Sequence, residues 1–299
     1  MRAAAVQLNS TDDKRRNLAI ADRLTRAAAA DGADLIVLPE KFNVLGPHEA
    51  YEAGAETLDG PTVTWARDTA RELGVDLVAG SFVERREGHD KLGNTSVHVG
   101  PDGEVRGVYR KIHMFDVTVD GKAYRESTSQ EAGEEIVTTE AEEARLGLTV
   151  CYDLRFPELY RILAVKGARV ITIPAAFTKV TGQAHWDTLV RARAIENQAF
   201  VIAADQIGTH PPDNESYGGS QIVDPWGDVL ARAPDTGSIG ARPPVLPEVE
   251  IDDRAARLSQ ACFVAADLDL ARQDEVRESL PSLANRVPSA YRWPEEAAV

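Results

Sequence analysis

Short apolar runs of strand length alternate along the chain with segments whose apolar residues repeat every three or four positions. Residues 3–8 form the first run, and Leu18, Ala21, Leu24 and Ala28 then mark one helix face, with Ser10, Thr11 and Asp12 as cap residues and Gly32 as the stop. Residues 34–40 predict a buried strand that ends in Pro39 and a carboxylate, Glu40. Pro61 opens a second helix through Trp65, Ala66, Ala70 and Leu73, which Gly74 closes. Residues 75–83 predict one strand, and residues 94–99 and 104–109 a hairpin about Gly100-Pro101-Asp102-Gly103. Residues 42–59 and 120–133 lack periodicity and read as loops.

The same order returns after residue 145. A run at 146–150 stops at Cys151, and Pro157 opens a helix with Leu159, Ile162, Leu163 and Val165 in helical spacing. Residues 168–174 predict a buried strand, 183–197 a helix with Leu189, Ala192 and Ile195 in register, and 200–204 another strand. A hairpin of 218–223 and 229–233 turns at Asp224-Pro225-Trp226-Gly227, and residues 263–267 and 269–280 predict a last strand and helix. Residues 235–260, rich in Pro, Gly and acidic residues, read as a loop excursion.

Each half therefore runs strand, helix, strand, helix, strand, hairpin. Parallel crossovers interrupted by hairpins require mixed sheets. Two such sheets packed face to face, each covered by a pair of helices, make an α/β fold of four layers, an αββα sandwich. No composition break divides residues 1–299, so one domain is expected.

Composition narrows the function. With 33 Lys and Arg against 48 Asp and Glu the net charge is -15, which repels nucleic acid and anionic membrane surfaces. No apolar run reaches membrane-spanning length. Two cysteines make no disulfide framework, and the opening residues are too short an apolar run for a signal segment, so a cytoplasmic location is expected.

The chemistry centres on Cys151. It sits on a strand-to-helix elbow, where unpaired N–H groups are expected to lower a thiol pKa and hold an oxyanion. The chain has no G-x-S-x-G elbow, P-loop, G-x-G-x-x-G or C-x-x-C, and its six histidines lack ligand spacing. Nucleophilic cysteine chemistry then needs a base, an oxyanion donor and a cleft. Glu40 and Lys111 also end apolar strands, and all three meet at one sheet edge if those strands are neighbours.

These residues lie in the motifs L-P-E-x-F-N at 38–43, Y-R-K-I-H-x-F-D at 109–116 and C-Y-D-L-R-F-P-E-L at 151–159. The three resemble the nitrilase superfamily of carbon–nitrogen hydrolases, in the Nit branch, and the resemblance runs over nearly the whole chain. It implies the αββα sandwich, a homodimer and no metal or organic cofactor. It further implies Glu40 as general base, Lys111 as oxyanion stabiliser, Cys151 as nucleophile and Glu126, in Tyr124-Arg125-Glu126-Ser127, as the second glutamate that orients lysine and substrate. The Tyr152 N–H would be the other oxyanion donor. The implied reaction hydrolyses a small carboxylate-bearing amide through a thioester and releases ammonia.

Phe177, Thr178 and the segment about His185 look more like branch members acting on deaminated glutathione than like omega-amidase. Tyr152, Arg155, Phe177, Thr178 and His185 are the candidate substrate contacts, although Arg155 is expected first as a partner of Glu158 or Asp153. Two positions depart from the pattern: Gly219, where histidine is common, and the long 235–260 excursion. Alternatives on the same residues are a nitrilase, an N-carbamoyl amidohydrolase or a non-catalytic binding protein. A redox sensor would want a resolving cysteine, and Cys262 lies in an apolar strand.

Overall fold

Parallel strands occupy the centres of two mixed sheets, and hairpin strands their edges. The computed structural model describes residues 1–237 and 260–291, so most of the 235–260 excursion lies outside the described residues. The first sheet contains β1 (Arg2–Gln7), β2 (Leu35–Val37), β3 (Asp76–Val78), β4 (Phe82–Glu84), β5 (Gly93–Val99), β6 (Val105–Arg110) and the final strand β17 (Cys262–Asp267). Its order is β17-β1-β2-β3-β5-β4, with β6 also paired to β5. A ribbon of β7 (Asp116–Val119) and β8 (Lys122–Arg125) follows. The second sheet contains β9 (Thr138–Glu140), β10 (Arg145–Leu148), β11 (Val170–Ala175), β12 (Phe200–Asp205), β15 (Gln221–Val223) and β16 (Val229–Arg232), in the order β16-β15-β12-β11-β10-β9. A second ribbon pairs β13 (Ile207–His210) with β14 (Asn214–Tyr217).

Alternation of side chains along the strands builds the layers. Ala3, Ala5, Leu35, Val37 and Val78 share one core with Leu146 and Leu148 of the second sheet. The intervening Ala4, Val6, Ile36 and Leu77 pack instead on Leu24 of α1 (Lys14–Ala30) and Ala66 of α3 (Pro61–Leu73). On the far side, α4 (Pro157–Val165) and α5 (Lys179–Asn197) cover the second sheet. The result is the αββα sandwich. Gly147 of β10 sets the α4 distance, because a Cβ there would lie 3.1 Å from Leu163 Cδ1. No helix among the described residues is long and apolar enough to cross a membrane.

Several elements differ from expectation. The residue 75–83 strand is two strands, β3 and β4, broken where Gly80 takes φ +44° and lies so close to the preceding loop that a Cβ would stand 2.0 Å from the Pro39 carbonyl oxygen. The loop at 42–59 holds α2 (His48–Gly54), and the one at 120–133 holds β8 and a 3-10 turn. Asp13, rather than Ser10 to Asp12, caps α1 by accepting from Arg16 N at 3.0 Å. Helix α5 begins at Lys179 and buries Trp186, Val190, Arg193 and Asn197, while Ile195 is exposed. The last helix, α6 (Leu270–Ser279), is capped by Asp269.

Candidate active site

Topology brings the strand ends together. β1, β2 and β3 are parallel, and β5 is antiparallel to both β3 and β6, so β6 runs with β2. In the second sheet β10, β11 and β12 are parallel, and a parallel bridge from Leu8 to Gln206 aligns the two sheets. The residues just after β2, β6 and β10 therefore share one edge. Two bonds to the Glu40 main chain cross the gap between the sheets there: Glu40 N donates to Ala175 O at 3.3 Å, and Gln206 Nε2 donates to Glu40 O at 3.0 Å.

The side chains at that edge form a buried ionic cluster. Lys111 Nζ donates to Glu40 Oε1 at 3.0 Å and to Glu126 Oε2 at 2.8 Å. Asn94 Nδ2 bridges the same carboxylates at 2.7 and 3.1 Å, and Ala176 N donates to Glu40 Oε2 at 3.0 Å. Glu126 also receives Phe115 N at 2.9 Å and Lys41 Nζ at 3.1 Å. Burial would lower the Lys111 ammonium, but the Glu126 and Glu40 carboxylates outweigh it and hold it well above its ordinary value. Burial would raise Glu126, yet Lys111 and Lys41 hold it well below the usual carboxylate range.

Cys151 opens a 3-10 turn (Cys151–Arg155) with φ +51°, a left-handed conformation for a residue with a side chain. Its thiol lies beside the Glu40 carboxylate, and burial, reinforced by the Glu40 charge, pushes it well above the ordinary thiol value. The lowered pKa expected from the elbow is thus overturned: desolvation outweighs the helix-start N–H groups. A thiol that is protonated at rest beside a carboxylate is set up for proton transfer at the moment of attack.

The elbow is held by Asp153, which is fully buried. Its Oδ2 accepts from Val150 N at 2.8 Å and Tyr109 Oη at 2.6 Å, and its Oδ1 from His113 N at 3.2 Å and His113 Nδ1 at 2.7 Å. Tyr109 and His113 flank Lys111, so one carboxylate ties the lysine segment to the cysteine turn. Asp153 is consequently no partner for Arg155. The Arg155 guanidinium stacks over Phe177, 5.1 Å from its centroid, and its Nη1 lies 3.3 Å from His185 Nδ1.

Above the cluster is a cavity of about 290 Å³. Its floor includes Glu40, Lys111, Glu126 and Cys151, and Tyr152, Phe177 and Thr178 are also in its walls. Arg155 and His185 are not among the lining residues, which separates them from the other expected contacts. The ribbons contribute Tyr124 and His210, the segment just before β7 contributes Phe115, and α2 contributes His48 and Tyr51. Burial pushes the His210 imidazole down to about 4, and its Nδ1 bonds Ser10 O at 2.7 Å, so the ring is neutral. Sequence reasoning missed Lys41, Asn94 and His210. Lys41 adjoins Glu40, a signal available in the chain; Asn94 had none.

Comparison with known proteins gives one consistent result. The family model described as carbon–nitrogen hydrolase matches residues 2–248. A deaminated glutathione amidase of Yersinia enterocolitica is 40% identical over 239 residues, covering 79% of this chain and 83% of that protein. An omega-amidase of Danio rerio is 34% identical over 97% of this chain and 96% of its own length. Among solved structures, Saccharomyces cerevisiae Nit3, a member of branch 10 of the nitrilase superfamily, superposes with a TM-score of 0.78 at 29% identity, covering 94% of each chain.

Proposed function

The chain belongs to the carbon–nitrogen hydrolase family, in the Nit branch of the nitrilase superfamily, and from this premise we propose that Glu40, Lys111, Cys151 and Glu126 carry its amidohydrolase chemistry. The protein is a cysteine-dependent amidohydrolase. Glu40 takes the Cys151 proton as Sγ attacks the amide carbon. Lys111 Nζ and the Tyr152 N–H stabilise the oxyanion. Collapse expels ammonia or an amine that carries the proton from Glu40 and leaves a thioester. Glu40 then deprotonates a water, which attacks the thioester; the tetrahedral adduct expels the Cys151 thiolate, and Glu40 returns its proton to sulfur. Glu126 orients Lys111. This course uses no metal or organic cofactor.

The observation that carries the reading is a single ammonium in contact with both carboxylates within 3.0 Å, with the Cys151 thiol beside them at the floor of one cavity. The substrate is a small carboxylate-bearing amide, supported by relatives named for deaminated glutathione and omega-amides. Tyr152, Phe177 and Thr178 contact it, and Arg155 with His185 supports the Phe177 wall from behind. One domain spans residues 1–299. The molecule works in the cytoplasm as a homodimer, to which exposed Ile162, Val165 and Ile195 on the outer helices and Trp226 on the β15–β16 turn beside α5 contribute. Amine release from a panel of short amides, a nitrile and a ureide tests the activity: wild type turns over the acidic amides and Cys151→Ala does not. Equal turnover by both would overturn the mechanism.

A further inference from the structure

Lys111 faces two carboxylates. Glu40 and Glu126 with Lys111 alone sum to one net negative charge in a buried site, an excess that persists when the oxyanion takes over the charge given up by Glu40. Lys41 changes that sum. Its side chain is nearly buried, its Nζ lies 3.1 Å from Glu126 Oε1, and it sits 4.8 Å from the Tyr51 ring centroid. The Gln130 amide, turned to satisfy both neighbours, accepts from Lys41 Nζ and donates to Glu126 Oε1, each at 3.1 Å.

The backbone points the same way. Successive residues of an extended strand project to opposite faces. Here Glu40 and Lys41 both line the same cavity, and Lys41 adopts φ +49° with its N–H held by Ser81 Oγ at 2.9 Å. A left-handed lysine is disfavoured unless its surroundings hold it there. The turn that delivers Glu40 is thus also shaped to bring its neighbour inward.

We infer that Lys41 is a positioning residue for the reaction: it neutralises Glu126, so that the cluster has no net charge at rest and none again once Glu40 is protonated and the oxyanion has formed. The inference rests on the mechanism proposed above. The charge count is direct. At rest two ammoniums balance two carboxylates; in the tetrahedral adduct two ammoniums balance Glu126 and the oxyanion. Without Lys41 both states have an excess negative charge, and Lys111 is pulled toward carboxylates rather than substrate. The groups that face Glu126 are Lys41 and Glu40 after β2, Asn94 on β5, Lys111 after β6, Asp116 on β7 and Gln130; Cys151 faces Lys111 and Glu40.

The test compares Lys41→Met and Lys41→Arg in the full chain on the best acidic amide of the panel. Lys41→Met lowers kcat/KM roughly 10- to 100-fold, the scale set by removing one cation a few ångströms from a developing charge. The loss lies mainly in kcat. The acid limb of the pH profile moves toward neutrality by about one unit, because carboxylates deprived of a cation take up protons more readily. Lys41→Arg restores most of the rate. If Lys41→Met does not fold by circular dichroism, Lys41→Gln carries the same expectation. Wild-type kcat/KM in the neutral variant, or an equal loss in Lys41→Arg with an unmoved acid limb, would overturn the inference. Failure of wild type itself on every amide would instead overturn the proposed function.

Discussion

Replacing Tyr109 by phenylalanine removes one oxygen from the joint between the lysine strand and the cysteine turn. The lost bonds are Tyr109 Oη to Asp153 Oδ2 at 2.6 Å, with both residues fully buried, and the longer Ile112 N to Tyr109 Oη at 3.4 Å. A hydrogen bond to a charged group contributes about 1.5–3 kcal/mol, and burial of the partner leaves no water to replace it. Asp153 keeps Val150 N and both His113 donors, which places the expected loss near the middle of that range, about 2 kcal/mol. For a chain of this size that lowers Tm by roughly 4 °C. Activity falls further than stability alone implies, by about 10-fold in kcat/KM, because the Lys111 and Cys151 segments lose one of their shared anchors and misalignment well under 1 Å is costly. Differential scanning fluorimetry and steady-state kinetics on the purified variant read both. A Tm and kcat/KM indistinguishable from wild type would refute the view that Asp153 couples the two segments.

Other outcomes follow from neighbouring features. Gly80→Ala places a Cβ against the Pro39 carbonyl in a left-handed turn; it destabilises by roughly 2–4 kcal/mol and costs activity, read by urea unfolding and turnover, whereas a neutral effect would contradict the packing. Because the Cys151 thiol is pushed up, its conversion to the methyl disulfide by methyl methanethiosulfonate accelerates with pH through and beyond pH 9, and a plateau below pH 8 would show that the thiol is acidic instead.

What the sequence made legible was the set of strand ends. Apolar runs that stop at Glu40, Lys111 and Cys151 carry their register in the chain, and parallel pairing does the rest. On helix α5 the apolar register of Leu189, Ala192 and Ile195 failed at Ile195, which is exposed, while Arg193 and Asn197 tie the helix to the core through bonds to main-chain oxygens, with Arg193 reaching Leu154 O at 2.7 Å. Hydrophobicity does not encode such burial. The β7–β8 ribbon did leave a signal, Asp120-Gly121 with both residues at positive φ, and that pair is a two-residue hairpin turn. The direction of the thiol shift was beyond reach, since it depends on how deeply Cys151 is enclosed and on which charges close around it. Arg155, expected to pair with Glu158 or Asp153, stacks on Phe177 instead, and Asp153 had already been claimed from outside its own segment.

The two bonds that clasp the Glu40 main chain from the opposite sheet make turnover a gauge of how the slabs are seated. A perturbation that slid one sheet against the other by a fraction of an ångström would leave every strand intact and displace Glu40, the proposed base. Mild heat or pressure is then expected to dim hydrolysis reversibly before circular dichroism registers any loss of structure.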